Sequence, residues 1–105
     1  MKPPRRIKVG HIEFTVTVGE TEVDRIVDDD DADGCMSEKH ALIAIRPLPE
    51  PRTRTVLVHE LLHGCIAASG LVLDDEVEER FVAAATGPLL AALRDNKALI
   101  AYLTA

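Results

Sequence analysis

Residues 59–63 read His59-Glu60-Leu61-Leu62-His63, the HExxH pattern. On a helix, two histidines four residues apart share one face, about a turn from each other. Their imidazoles can then close on one zinc ion, and Glu60 can reach a water on that ion. The motif sits in an apolar run, Val56-Leu57-Val58 before it and Cys65-Ile66-Ala67-Ala68 after it. Unpaired histidines and a carboxylate are costly in such a run, and the helix offers Glu60 no nearby Lys or Arg. A cation would remove that cost. Two blander readings compete. In one, His59, Glu60 and His63 form a polar helix edge bonded to backbone. In the other, the chain is a metal-free helical adaptor.

A catalytic zinc keeps three protein ligands and one open position, so one ligand must come from outside the motif. The candidates are His11, His40, Cys35 and the glutamates Glu76, Glu78 and Glu79. The glutamates open a helix that follows the motif helix after a short link, which sets the two helices side by side and roughly antiparallel. At about 100° per residue, Glu78 points with Val82, Ala85 and Leu89. Glu79 falls on the flank near Thr86, and Glu76 points away. A carboxylate centred in an apolar stripe is unusual unless it binds something. Periodicity therefore favours Glu78 and leaves Glu79 within reach. The alternative for either is a first-turn acid stabilising the helix N-terminus.

The elements that must hold these residues can be read in outline. Residues 7–18 alternate apolar and polar with one slip near Gly10, predicting two short strands or one bulged strand. Residues 22–27 are ambiguous. Asp28 to Asp33 form an acidic loop ending at Gly34. Its D-x-D-x-D-G opening matches a calcium loop, but His40 stands where that loop needs a bidentate glutamate, so a solvated turn is expected. His40 to Arg46 is a strand candidate that could offer its edge to an extended peptide. Pro47, Pro49 and Pro51 end it, since proline cannot join a ladder. The motif helix is expected to begin near Pro51 to Thr53 and stop at Gly70, covered on most sides. Asp74 or Asp75 caps the next helix, with Glu78 three residues after Asp75 as in a capping box. Gly87-Pro88 is expected to kink or break it. Asn96 stops it, and residues 98–103 form a last turn or two.

One domain, residues 1–105, fits this length, with roughly 65% of the unfolded surface buried on folding. With one Tyr, two Phe and no Trp, the core is expected to be Leu, Val, Ile and Ala. The net charge of −6 argues against a nucleic-acid partner, whose phosphates need clustered cations. The one basic cluster, Lys2, Arg5, Arg6 and Lys8, reads as a solvated tail and strand. No apolar run reaches the roughly 18 residues of a membrane span, and the first 20 residues carry no signal-peptide pattern. Cys35 and Cys65 make no disulfide framework. Cys65 reads as a small buried apolar residue. A cytoplasmic setting is expected.

The stretch from Leu42 to Asn96 resembles the small HExxH metallopeptidase-like proteins of phages and prophages. It is more distantly similar to the ImmA/IrrE-type metallopeptidases. The segments that carry the resemblance are ALIAIR, TVLVHELLHG, GLVLDDE and ALRDN, about half of the chain. The N-terminal IKVGHIEFTV looks like the opening of those proteins, less specifically. Pro88 and Lys97 depart from the pattern, which has a small helical residue and a proline there. The resemblance implies an α+β fold: a minimal gluzincin-type zincin domain with a small N-terminal antiparallel sheet, an HExxH helix and a packed third-ligand helix. It implies His59 and His63 as zinc ligands and Glu60 as general base. Aligned on the ImmA/IrrE-type pattern, Glu78 is the third ligand; aligned without gaps on the phage-type helix, Glu79 is.

The expected function is a zinc-dependent peptidase-like hydrolase acting on a peptide or protein, encoded by a phage or prophage and working in the bacterial cytoplasm. A degenerate zincin serving as a binding or regulatory module is the alternative. So short a chain leaves little material for a deep cleft, so a homodimer or a partner protein completing the site is also expected.

Overall fold

The computed structural model describes residues 1–27, 29 and 31–105. Strands β1 (Arg6–Val9) and β2 (Ile12–Val18) form a hairpin in which Val9 faces Ile12. The two-residue turn needs Gly10 at φ 58°, a conformation that a Cβ disfavours. The slip in alternation thus marks a turn between two strands. On β2, Phe14 and Val16 are buried while Glu13 and Thr15 are exposed, as a period of two requires.

A short helix, α1 (Glu22–Ile26), follows and buries Val23. Next come β3 (Gly34–Ser37) and β4 (Leu42–Ile45). The sheet order is β1-β2-β4-β3. β4 runs parallel to β2 and antiparallel to β3. The sheet is therefore mixed, which corrects the expected antiparallel one. The stretch between β2 and β4, carrying α1 and β3, is long enough for the crossover a parallel pair needs. β4 is an interior strand, so the edge expected at residues 41–45 belongs instead to β3.

Of the acidic loop, Asp28 and Asp30 lie outside the described residues. Asp29 accepts a bond from the Asp31 amide, and Asp33 is paired with Arg52. Gly34, the sixth position of the calcium pattern, opens a strand. Arg46 ties this loop to the sheet. Its guanidinium donates to the carbonyls of Ala32 and Asp29 at 2.6 and 3.2 Å and to Asp24 at 2.7 Å.

Helix α2 (Glu50–Ser69) carries the motif and ends on Gly70 at φ 78°, as the prolines and glycine predict. It packs on β3, β4 and α3. Its coverage is thinner than expected: most of its apolar residues are half-buried, and its two buried residues are Glu60 and Gly64. Cys65 is exposed, contrary to expectation, because among the described residues no element covers its side of α2. Gly64 lets the helix approach the sheet; a Cβ there would meet the Phe14 ring at 3.1 Å.

Helix α3 (Asp75–Asp95) continues through Gly87-Pro88, so of the expected kink or break the break does not occur. Pro88 removes one backbone donor from a long helix, and the turns on both sides continue. α4 (Lys97–Leu103) follows Asn96. The buried core is Phe14, Val16, Val23, Cys35, Ile43, Ala44, Ile45 and Val82. Contrary to expectation it holds Phe14 and Cys35 and no leucine. Among the described residues, no helix is long and apolar enough to cross a membrane.

Candidate metal centre

The site lies where α2, the start of α3 and the edge strand β3 meet. Asp74 fixes the start of α3, its carboxylate accepting from the Glu76 amide at 3.0 Å. The expected box between Asp75 and Glu78 does not form, because the Glu78 side chain is engaged elsewhere. Glu78 Oε2 lies 2.6 Å from His63 Nδ1. Glu79 reaches both histidines of the motif. Its Oε1 is 3.0 Å from His59 Nε2, and its Oε2 is 2.9 Å from His63 Nε2. The two rings stand 5.1 Å apart between centroids, inclined at 64°.

Ligand atoms of His59, His63 and Glu79 all lie within 4.8 Å of one another. Donors on a tetrahedral zinc, at bonds of about 2.0–2.2 Å, sit about 3.3–3.6 Å apart. The three residues could hold a metal ion by number and chemistry, and the 4.8 Å span of their ligand atoms would have to contract to reach zinc spacing. Glu78 fits a different task. Bonded to Nδ1, it fixes the His63 ring and directs Nε2 toward Glu79 and His59, as a carboxylate behind a metal-binding histidine does. Glu78 and Glu79 thus both meet the motif, at different atoms. His11, His40 and Cys35 are not members of this cluster among the described residues.

Each ring nitrogen of His63 thus faces a carboxylate, an arrangement that favours the protonated ring. Its pKa is raised above the usual value. Burial opposes the charge, but the bond to Glu78, the Glu60 charge and Glu79 outweigh it. A cation could join His63 Nε2 and Glu79 in place of the hydrogen bond between them.

Glu60 is 7% exposed, and among the described residues no group hydrogen-bonds its carboxyl. Burial pushes its pKa up to about 7; the nearby His63 pulls it down and Glu79 pushes it up. A carboxyl with that pKa can both take and give a proton near neutrality. Cys35 lies beside it, its thiol pushed up by burial and by the Glu60 charge. Gly34 makes room for this packing. A Cβ there would come within 2.7 Å of Val56, 3.0 Å of the Ala44 carbonyl and 3.5 Å of Glu60.

No protein-family model, no curated protein and no solved structure matches the chain. The chemistry of the site must be argued from its own residues. These face an open groove of about 1060 Å³ that also takes in Gly34, Cys35 and Met36 of β3 and, at its far end, Asp33 and Arg52. Sequence reasoning missed β3 and its Gly34. The signal present was a glycine placed directly after the acidic run.

Proposed function

We propose that this protein is a zinc-dependent metallopeptidase-like hydrolase. The observation that carries the reading is the convergence of His59, His63 and Glu79 within 4.8 Å, beside a buried carboxyl of Glu60 with a pKa of about 7. His59, His63 and Glu79 would hold the ion, with Glu78 orienting His63. Zinc supplies Lewis acidity, polarising a carbonyl and acidifying water. Glu60 takes the proton of the attacking water and hands it to the leaving amine. Its burial, and the absence of a hydrogen-bond partner among the described residues, suit it to both transfers.

The groove supports an extended peptide as substrate. β3 pairs only with β4 among the described residues, so its outer backbone groups can bond a peptide laid along the groove. A reducing, cytoplasmic setting belongs to the proposal, supported by the unpaired Cys35 and Cys65.

The test is cleavage of a mixed peptide library by the zinc-loaded protein and by Glu60→Gln. Products are expected from the wild type, with a rate at least about 100-fold lower in the variant, which should retain its zinc. Equal cleavage by both proteins would end the enzyme reading. Retained zinc without cleavage by either would favour a zinc-binding regulatory module.

A further inference from the structure

The groove beside the site carries charge of mostly one sign. Its walls hold the carboxylates of Asp29, Asp33, Glu60, Glu78 and Glu79. Of the chain's 12 Lys and Arg residues, Arg52 alone lines it among the described residues. The charges of a bound zinc ion and of Arg52 do not offset these acids, so the walls stay negative with the metal in place. At the far end, two carboxylates are only partly used. Arg52 Nε and Nη2 both donate to Asp33 Oδ2, which leaves Asp33 Oδ1 without a partner among the described residues. Asp29 accepts the Asp31 amide on Oδ1, and its Oδ2 has none among them either. Nearer the motif, Glu60 is 7% exposed, and its carboxyl likewise has no partner there. Acids left open in the wall of a groove are satisfied by donors that enter it.

The spacing along α2 sets where such a donor lies. Arg52, Val56, His59 and His63 follow at four, three and four residues and all line the groove, as one face of a helix must. Arg52 therefore stands about 10 Å from His59 along the axis, the length of about three residues of an extended peptide. We propose that the groove selects an extended cationic peptide, with a lysine or arginine about three residues from the metal-held bond seated on Asp33 and Asp29. The inference rests on the peptide groove of the hydrolase reading and names its substrate class. The backbone of β3 can pair with a peptide of any sequence, so the acids at the far end supply the preference. Their charge also speeds the encounter with a cationic chain.

Fluorescence polarisation with the zinc-loaded Glu60→Gln protein tests it, since that variant should hold peptides without cutting them. The probes are labelled decapeptides in which a single lysine, alanine or glutamate is moved through an otherwise neutral sequence. At low salt and at the favoured position, the lysine peptide is expected to bind about tenfold tighter than the glutamate peptide, and the gap should narrow as ionic strength rises. Adding Asp33→Asn or Asp29→Asn should shrink the gap about threefold each. Asp29 is exposed, so its variant decides the matter even if loss of the Arg52 pair unfolds Asp33→Asn. Equal binding across the series, a preference for glutamate, a lysine preference undiminished in the folded variants, or no binding at all overturns the proposal. A lysine preference without cleavage of those peptides by the wild type supports it and counts against the hydrolase reading alone.

Discussion

At the scale of single residues, the division of labour between Glu78 and Glu79 is the sharpest consequence of the geometry. Glu79 places one oxygen on each Nε2 of the motif, and Glu78 places one on His63 Nδ1. Glu79→Ala should therefore abolish stoichiometric zinc binding. Glu78→Ala should keep the stoichiometry and weaken affinity about 10–100-fold, as read by competition with a chromophoric chelator. The reverse order would exchange the two roles. Periodicity favoured Glu78 because it sees only the direction in which a side chain leaves its helix. Neighbours on a helix differ by about 100°, and a glutamate is long enough to swing back from a flank. Where Glu79 ends depends on the position of α2, which the α3 sequence does not contain.

Glu60 also sets a pH dependence in the metal-free protein. Its folded pKa is raised from the usual 4.5 to about 7, so above the lower value the folded state binds more protons than the unfolded chain. Stability should then fall as pH rises from about 4.5 to 7 and level off above. The raised pKa of His63 acts in the same direction, since its ion-pair stabilisation is lost as pH rises through that folded value. Glu60→Gln should remove the Glu60 share, on the order of 1–3 kcal/mol at pH 8. Urea titrations of both proteins at acid and alkaline pH check this. A variant destabilised equally at every pH would contradict it.

At the scale of elements, two glycines set how closely α2 approaches the sheet. Gly64→Ala would press a Cβ against the Phe14 ring, and Gly34→Ala would press one against Val56 and the Ala44 carbonyl. Each should lower stability by about 1–3 kcal/mol, measured by thermal or denaturant unfolding. Gly34→Ala should also reduce zinc affinity or turnover, because Glu60 packs against the same spot. Gly64→Ala, aimed at the core, should act on stability more than on turnover. The bounds of α2 were legible because Pro51 and Gly70 punctuate it locally. β3 was not, since Gly34-Cys35-Met36-Ser37 carries no clear alternation. The parallel pairing of β2 with β4 was not legible either, because register between distant segments is a tertiary choice. The break expected at Gly87-Pro88 failed because a long helix tolerates the loss of one donor.

At the scale of the whole molecule, the small buried core leaves room for the metal to matter to folding. The sheet and α2 bury Phe14, Ile43 and Ile45 completely, whereas α3 contributes only Val82 and Thr86 to the buried set. The side chains of Glu78 and Glu79 bond the start of α3 to His59 and His63 of α2. An ion bound only by the folded state stabilises it by mass action, about 4 kcal/mol when free zinc is 1,000 times its dissociation constant. Chelation should accordingly lower the melting temperature by several degrees, and hydrogen exchange should report the loosening first at the start of α3. An unchanged melting temperature on chelation of zinc-loaded protein would show that the site does not couple to the fold.

Metal analysis of the purified protein, with His59→Ala and His63→Ala alongside, reaches the central claim most directly. One zinc per chain is expected in the wild type, and none in either variant while both remain folded. Wild-type protein that holds no zinc even after dialysis against the free ion, or variants that hold as much as the wild type, would contradict it.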